Sequence, residues 1–188
     1  VCPQETQCEA KCVRGIKGEP VAIGEIETYL ADKFIDVPYK KSDELSAYKV
    51  AIIGAGPAGL SCAGFLAKKG IKVTLFEKHD HLGGIMYHGI PEFRLPKDIL
   101  NRHIQKIIDL GIEVKLNTEL GKDFTLNDLS SYDAVFLSFG ANLSRKMNIP
   151  GEERNNVLFG NELLESGSWP DVRGKKIAVS GGGNTAMD

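Results

Sequence analysis

The sequence predicts an α/β fold in which helices flank a parallel sheet, and two observations lead to this prediction. An apolar run at 50–53 leads directly into the glycine-rich segment 54–59, and a helical segment at 60–69 separates it from a second apolar run at 73–76. Strand, glycine turn, helix and strand in this order form a βαβ unit with parallel strands. We expect 50–53 to be the central strand with 73–76 beside it, because apolar runs suit strands buried on both faces.

The residues before this unit predict a small separate region. The first 18 residues are rich in cysteine, glycine and charge without periodicity, which predicts a loop. Apolar residues then recur at spacings of three and four, and Pro20 suits the first turn of a helix, so we expect a helix over 20–34. The polar stretch that follows predicts a linker and a domain boundary near residue 45.

Further elements are expected after the βαβ unit. Apolar periodicity and glycine stops predict a helix and three more strands. These are a helix from Pro96 to Leu110 ended by Gly111, strands at 112–115, 133–140 and 175–179, and a second glycine turn at 180–183.

Composition excludes several classes of protein. The chain has 188 residues, 42% of them hydrophobic, which is enough for one substantial core. A formal net charge of -2 gives no reason to expect nucleic acid as a partner. No apolar run approaches the roughly 18 residues of a membrane-spanning helix, and the N-terminus lacks the layout of a signal peptide. We therefore expect a cytoplasmic protein that does not contact a membrane.

The glycine-rich segment fits the dinucleotide pattern G-x-G-x-x-G through Gly54, Gly56 and Gly59, with Pro57 and Ala58 between them. Its glycines allow a tight turn, a close approach of backbone to pyrophosphate, and close packing of helix on strand. Glu77 follows Gly59 by 18 residues, where an acid accepts hydrogen bonds from a ribose 2′-hydroxyl and disfavours a 2′-phosphate. This context favours FAD or NAD over the alternative, a turn without a ligand and a solvated Glu77.

Three of the four cysteines, Cys2, Cys8 and Cys12, fall within the first dozen residues. In a chain without a secretion signal, such clustering favours metal or cluster ligands over disulfides, with free thiols as the alternative. Cys62 lies on the apolar face of the helix after the glycine turn, where it is expected in the core. The four histidines show no ligand spacing on a helix and are expected to be structural.

Three segments carry a resemblance to a known family. They read VCPQETQCEAKCVRGIKGEPVAIGEIETYLAD, AIIGAGPAGLSCAGFLAKKG and GIPEFRLPKDIL. Together they resemble the glutamate synthase small (beta) subunit family, whose modules are similar to the ferredoxin-NADP transhydrogenase large subunit and the N-terminal part of dihydropyrimidine dehydrogenase. The resemblance implies FAD rather than NAD at the first glycine turn. It also implies a helical iron-sulfur remnant at 1–44, the first part of a Rossmann-like FAD-binding domain at 45–145, and the truncated start of a second, NADPH-binding domain at 146–188.

The resemblance further implies roles for individual residues in the flavin site. It places the pair Gly83 and Gly84, after Glu77 and Lys78, against the flavin cofactor. It places Arg94 near the isoalloxazine, where a cation could steady a reduced flavin, although a surface salt bridge is the alternative.

The same resemblance extends to the second half of the chain. The strand that ends at Gly140 marks the crossing into the NADPH domain. The NADPH motif, for which a plain turn is the alternative, consists of Gly181, Gly182, Gly183, Asn184 and Thr185.

For the iron-sulfur segment, the resemblance assigns Cys2 and Cys8 to one [4Fe-4S] cluster and Cys12 to another. Glu27 matches a non-cysteine ligand position, with a solvated acid on a helix as the alternative. A [4Fe-4S] cluster needs four ligands, and further cysteines come in the family from an upstream segment. We therefore expect the clusters to be absent or incomplete in this chain, which resembles a fragment of the parent protein, and its FAD and NADPH to be incomplete or absent as well.

The function implied is that of an NAD(P)H-dependent flavoprotein oxidoreductase. NADPH would reduce FAD, and iron-sulfur clusters would carry electrons singly to a large subunit or another electron-accepting partner. No catalytic residue is expected, because the protein positions and tunes its cofactors. The alternatives are a ferredoxin-NADP transhydrogenase-type subunit and an inactive dinucleotide-binding fragment.

Overall fold

A computed structural model describes residues 2–188, divided into a first unit that ends at Tyr39 and a second from Lys40 to Asp188. In the first unit, short 3-10 turns occupy most of the segment expected to be a loop. Backbone hydrogen bonds close these turns, for example from the Gly15 N–H to the Cys12 carbonyl at 3.0 Å. The turns span Gln4–Thr6, Glu9–Lys11 and Val13–Ile16, and helix α1 follows at Ile23–Lys33.

Helix α1 begins three residues later than the sequence predicts. The N–H of Val21 donates to the Cys12 thiol sulfur at 3.4 Å, and the N–H of Ile23 donates to the Val21 carbonyl at 2.8 Å. These contacts hold residues 20–22 in a tight turn outside the helix. Pro20 therefore precedes the helix instead of occupying its first turn, and that part of the prediction is wrong.

The second unit is built on a sheet of four parallel strands. Strand β1 spans Lys49–Ile53, β2 Lys72–Phe76, β3 Glu113–Lys115 and β4 Ala134–Leu137. Their order in space is β3-β2-β1-β4. Val50 pairs with Val73 of β2 on one side and with Ala134 of β4 on the other. The predicted parallel sheet is confirmed, with β1 between β2 and β4.

Helices cover one face of this sheet. Helix α2 spans Pro57–Lys68, α3 Ile85–His88, α4 Lys97–Ile108, α5 Gly160–Ser166 and α6 Asn184–Met187. Val50 and Ile52 of β1 share a buried cluster with residues of α2 and α4. Ala51 and Ile53 point to the other face, into a smaller cluster with Phe76 and Leu129. Strands buried on both faces explain the apolar runs.

Among residues 2–188, no helix is both long and apolar enough to cross a membrane.

Residues 175–179 do not form the strand that the sequence predicts. A strand exists only through hydrogen bonds to a neighbour, and within residues 2–188 none pairs with this segment. Ile177 and Val179 remain 61% and 67% exposed.

Strand β4 is only partly buried. It lies at the edge of the sheet, and its residues Val135, Phe136 and Leu137 are between 39% and 49% exposed.

Candidate dinucleotide site

The first glycine turn lies where the carboxyl ends of three parallel strands meet. It follows β1 directly, and the N–H of Gly54 donates to the carbonyl of Phe76, the last residue of β2, at 2.8 Å. The order of the strands reverses at β1: β2 and β3 are added on one side of it, and β4 is added on the other side. In parallel α/β sheets, the crevice at such a reversal is where ligands bind.

The three motif glycines differ in what surrounds them. Gly54 has a φ of +100°, and a Cβ there would collide with the backbone of Ser138; a Cβ on Gly59 would collide with the Gly54 carbonyl. These two glycines are required by the protein itself. At Gly56 the nearest atom to a built Cβ is the Gly84 Cα, 4.0 Å away. The middle glycine therefore borders open space, as the close approach of a ligand to the backbone requires.

Helix α2 presents unused hydrogen-bond donors to this space. Its N-cap is Gly56 and its first residue is Pro57, which has no N–H. Among residues 2–188, no acceptor is bonded to the N–H groups of Gly56, Ala58 and Gly59. Free donors and the positive end of the helix dipole favour an anion at this position. The geometry fits a diphosphate group.

Glu77 is a buried acid that braces the turn. Its side chain follows β2, and the residue is only 5% exposed. One carboxylate oxygen accepts the Ala55 N–H at 2.8 Å, and the other accepts the His79 N–H at 3.0 Å. The sequence predicts its place at the end of β2, whereas its hydrogen bond to the turn requires the tertiary fold. Its contact with a ribose stays a prediction.

The pair Gly83 and Gly84 lies against the same turn. Their φ angles are +114° and +53°, and the Gly83 N–H donates to the Ala55 carbonyl at 2.9 Å. A Cβ on Gly84 would come within 2.8 Å of the Gly56 Cα. Both glycines let this loop pack on the turn, and their contact with a flavin stays a prediction.

Ser138 is a residue of the site that sequence reasoning missed. Its hydroxyl lies 2.9 Å from the Ile53 carbonyl and 2.8 Å from the Gly54 carbonyl, so it links the end of β4 to the glycine turn. The available signal was a small hydroxyl residue directly after an apolar run. Gly140, two residues further on, has a φ of +75° at the predicted domain crossing.

Two basic residues of the predicted flavin site form ion pairs in the second unit. The Arg94 Nε lies 2.5 Å from an Asp188 carboxylate oxygen, and the Lys78 Nζ lies 3.2 Å from Glu165 Oε1. Arg94 therefore has the salt bridge that was its alternative role, and its position beside an isoalloxazine stays a prediction.

Lys97, which the sequence analysis also missed, fixes the loop before α4. Its ammonium donates to the carbonyls of Met86, at 3.0 Å, and of Ile90. Burial lowers the pKa of this lysine. A cavity of about 470 Å³ borders this loop, with Tyr87, Phe93 and Trp169 among its lining residues.

The second glycine turn is open to solvent. Gly181 has a φ of +121°, while a Cβ on Gly182 or Gly183 would meet no atom within 4 Å. Asn184 and Thr185 begin the short helix α6. The turn thus leads from an extended segment into a helix, and its role as an NADPH site stays a prediction.

The clustered cysteines carry free thiols in the first unit. Cys2 is exposed, and Cys8 and Cys12 are half-buried. The Val21 N–H bonded to the Cys12 sulfur, together with a backbone hydrogen bond from Arg14, lowers the pKa of that thiol. Glu27 is exposed on α1. Ligation of a cluster by these four residues stays a prediction.

We expect Cys12 to be alkylated at lower pH than Cys62. The lowered pKa of Cys12 preserves its thiolate as pH falls, whereas burial raises the pKa of Cys62, which packs against the core. The thiolate is the reacting form. Mass spectrometry after timed iodoacetamide pulses across a pH series gives each midpoint, and a Cys62 midpoint at or below that of Cys12 would contradict the expectation.

Three of the histidines, which the sequence predicts to be structural, lie close together. His79, His81 and His88 each place one ring nitrogen within 4.8 Å of the others, which makes them a possible metal-ligand group. Burial lowers the pKa of His88. Ligand spacing along a helix does not reveal this group, because His79 and His81 lie in the loop after β2.

Comparisons with known proteins agree with this architecture. Residues 48–188 match the model of the pyridine nucleotide-disulphide oxidoreductase family, and residues 1–38 match that of dihydropyrimidine dehydrogenase domain II, 4Fe-4S cluster. The glutamate synthase [NADPH] small chain of Escherichia coli is 40% identical over 100% of this chain and 43% of the relative. The NADP(+)-dependent formate dehydrogenase subunit beta of Moorella thermoacetica is 39% identical over 96% of this chain and 30% of the relative. The chain thus spans less than half the length of these relatives.

Solved structures give the same picture. Mycobacterium tuberculosis FprA in complex with NADPH superposes with a TM-score of 0.58 at 25% identity, over 63% of this chain and 28% of that one. 2-Naphthoyl-CoA reductase superposes with a TM-score of 0.57 at 29% identity, over 71% of this chain and 20% of that one. The solved structures and the matching family models confirm the predicted fold class. The relative from Escherichia coli confirms the resemblance to the glutamate synthase small subunit family.

Proposed function

Because the chain belongs to the pyridine nucleotide-disulphide oxidoreductase family, we propose that it is part of an NADPH-dependent iron-sulfur flavoprotein oxidoreductase. Electrons pass in this proposal from NADPH through FAD to [4Fe-4S] clusters and then to a large subunit or another protein partner. The relatives named small chain and subunit beta support a multisubunit assembly. A cytoplasmic location accompanies the proposal, since clustered free thiols suit a reducing compartment.

The observation that carries the proposal is the first glycine turn. Its free N–H groups bind the diphosphate of FAD, and the open space at Gly56 admits that group to the backbone. Glu77 holds the turn in place through Ala55 and offers the remaining lone pair of Oε2 to a ribose hydroxyl. The loop of Gly83 and Gly84 closes the other side of the turn.

The chain's own residues position cofactors and need not exchange protons with a substrate. FAD, when bound, accepts a hydride and can release electrons singly. Arg94 would place a positive charge beside a bound flavin, in place of its present ion pair with Asp188. The donors of the second turn, from Gly181 to Thr185, take the NADPH diphosphate in the same way.

In the first unit, Cys2, Cys8 and Cys12 are the proposed thiolate ligands of the clusters, with Glu27 as a further ligand. The lowered pKa of Cys12 favours the thiolate that iron binding needs. The proposed domains are 1–44 for iron-sulfur binding, 45–145 for FAD and 146–188 for NADPH.

We expect Gly56→Ala to weaken FAD binding by at least about tenfold while the chain stays folded. The added methyl would touch only the Gly84 Cα, at 4.0 Å, but it stands where the diphosphate approaches the backbone. Isothermal titration of the 188-residue chain with FAD measures the effect. Riboflavin, which lacks the diphosphate, should bind far more weakly than FAD to the unsubstituted chain.

Gly182→Ala is the matched control for this substitution, because its methyl meets no atom within 4 Å and lies in the second glycine turn. FAD affinity should be unchanged in this variant. Equal FAD affinity in the unsubstituted chain and Gly56→Ala would contradict the proposal.

A further inference from the structure

Three histidines beside the glycine turn form a compact group. His79 and His81 lie in the loop after β2, and His88 is the last residue of α3. One ring nitrogen of each lies within 4.8 Å of the corresponding nitrogens of the other two. The rings are half-buried, so the group is sheltered and still accessible from solvent.

Neighbouring carboxylates orient two of these rings. The Nδ1 of His79 lies 2.8 Å from Glu77 Oε1, and the Nδ1 of His81 lies 2.7 Å from Asp80 Oδ1. A carboxylate only accepts, so the Nδ1 of His81 donates to Asp80 and its Nε2 is left to bind an ion. His79 faces a carboxylate at both ring nitrogens, because its Nε2 lies 3.0 Å from Glu165 Oε1, and an ion at that nitrogen would replace this contact. Metal-ligating histidines are held in this way, with the second nitrogen donating to a carboxylate.

Two nitrogens of the group have no partner. Within residues 2–188, His81 Nε2 and His88 Nδ1 are buried without a hydrogen bond. His81 stacks on Tyr87 with ring centroids 3.9 Å apart, which accounts for the packing of the ring but leaves its nitrogen unsatisfied. Buried polar atoms without partners are costly, and in native structures they point to an ion or a functional role.

We propose that His79, His81 and His88 bind a divalent transition-metal ion, with Zn²⁺ as the ion that fits the ligands. Imidazole nitrogens are among the preferred ligands of Zn²⁺. Tetrahedral binding at about 2.0–2.1 Å places ligand nitrogens about 3.4 Å apart, so the side chains would have to draw together from a spacing of up to 4.8 Å.

Glu165 is a carboxylate beside His79. Its Oε1 lies 3.0 Å from His79 Nε2 and 3.2 Å from the Lys78 ammonium. A metal ion bound by His79 Nε2 would replace the direct contact between these two side chains, and a water molecule or a rotated Glu165 side chain would complete its four ligands. The proposed site adjoins the dinucleotide turn through Glu77 but uses none of the donors assigned to FAD, so it does not depend on the proposed function.

The test is a titration of the full chain with Zn²⁺ in competition with a chromophoric chelator. Substituting Cys2, Cys8 and Cys12 together by serine removes the sulfur ligands, and one Zn²⁺ per chain should still bind. In that background, His79→Gln, His81→Gln and His88→Gln should each weaken binding at least about tenfold. His103→Gln, a histidine outside the group, is the matched control and should change the affinity less than twofold. Zn²⁺ affinity that is unchanged in all three variants, or lost with the cysteines, would overturn the site.

X-ray absorption at the zinc edge identifies the atoms bound to Zn²⁺ without any substitution of histidine. The serine-substituted chain loaded with one equivalent of Zn²⁺ should have nitrogen and oxygen ligands at about 2.0–2.1 Å, with the multiple scattering of imidazole. A spectrum without imidazole scattering would overturn the proposal, even if every histidine variant failed to fold.

Discussion

Gly54→Ala is expected to lower the free energy of unfolding of the second unit by about 2–5 kcal/mol. Gly54 has a φ of +100°, a conformation that costs an L-residue about 1–2 kcal/mol. The added Cβ would also collide with the Ser138 carbonyl oxygen and lie 2.9 Å from its carbonyl carbon. Overpacking of this kind costs about 1–3 kcal/mol, because β4 must move away from β1. Urea denaturation followed by circular dichroism measures the change.

Gly121→Ala separates the two causes. Gly121 has a φ of +89°, and a Cβ there would meet no atom within 4 Å. This control should lose only the conformational part, about 1–2 kcal/mol. Equal losses in the two variants would mean that the contact of Gly54 with Ser138 contributes nothing to stability.

Elements defined by local pattern could be predicted from the sequence. The run Val50 to Ile53, the glycine turn and the helix after it all depend on residues close together in the chain, and the structure has each of them. Segment 175–179 has the same apolar character, but a strand also needs a neighbour, which composition does not supply. The sequence likewise could not predict that β4 is half-exposed, because exposure depends on what packs against the sheet edge.

In the dinucleotide site, too, only the residues defined by local spacing could be predicted from the sequence. Glu77 was found from its distance along the chain to the glycine turn, because a βαβ unit has a nearly fixed length. The bond from Ser138 to the Gly54 carbonyl and the meeting of His79 with His88 depend on how distant loops pack. Side chains that come together only through tertiary packing leave no spacing in the sequence to be recognised.

Glu77→Ala is expected to weaken FAD binding by about 1–3 kcal/mol, or about 5- to 150-fold, and to destabilise the second unit as well. Glu77 is 5% exposed, and its removal takes the acceptor from the buried Ala55 N–H, from the part-buried His79 N–H and from His79 Nδ1. An unsatisfied buried donor costs about 1–3 kcal/mol. Glu77→Gln should recover only part of either loss, because its amide places a donor against one of these N–H groups.

Separate readouts distinguish the role of Glu77 in folding from its role in binding. Denaturation without FAD measures the cost of the lost backbone bonds, and titration with FAD well below the unfolding transition measures affinity. Glu153→Ala, which removes an exposed acid of the same unit, is the control and should change neither quantity appreciably. Reduced stability with an unchanged FAD dissociation constant would confine Glu77 to bracing the turn. An unchanged free energy of unfolding would instead mean that its hydrogen bond to Ala55 does not hold the glycine turn in place.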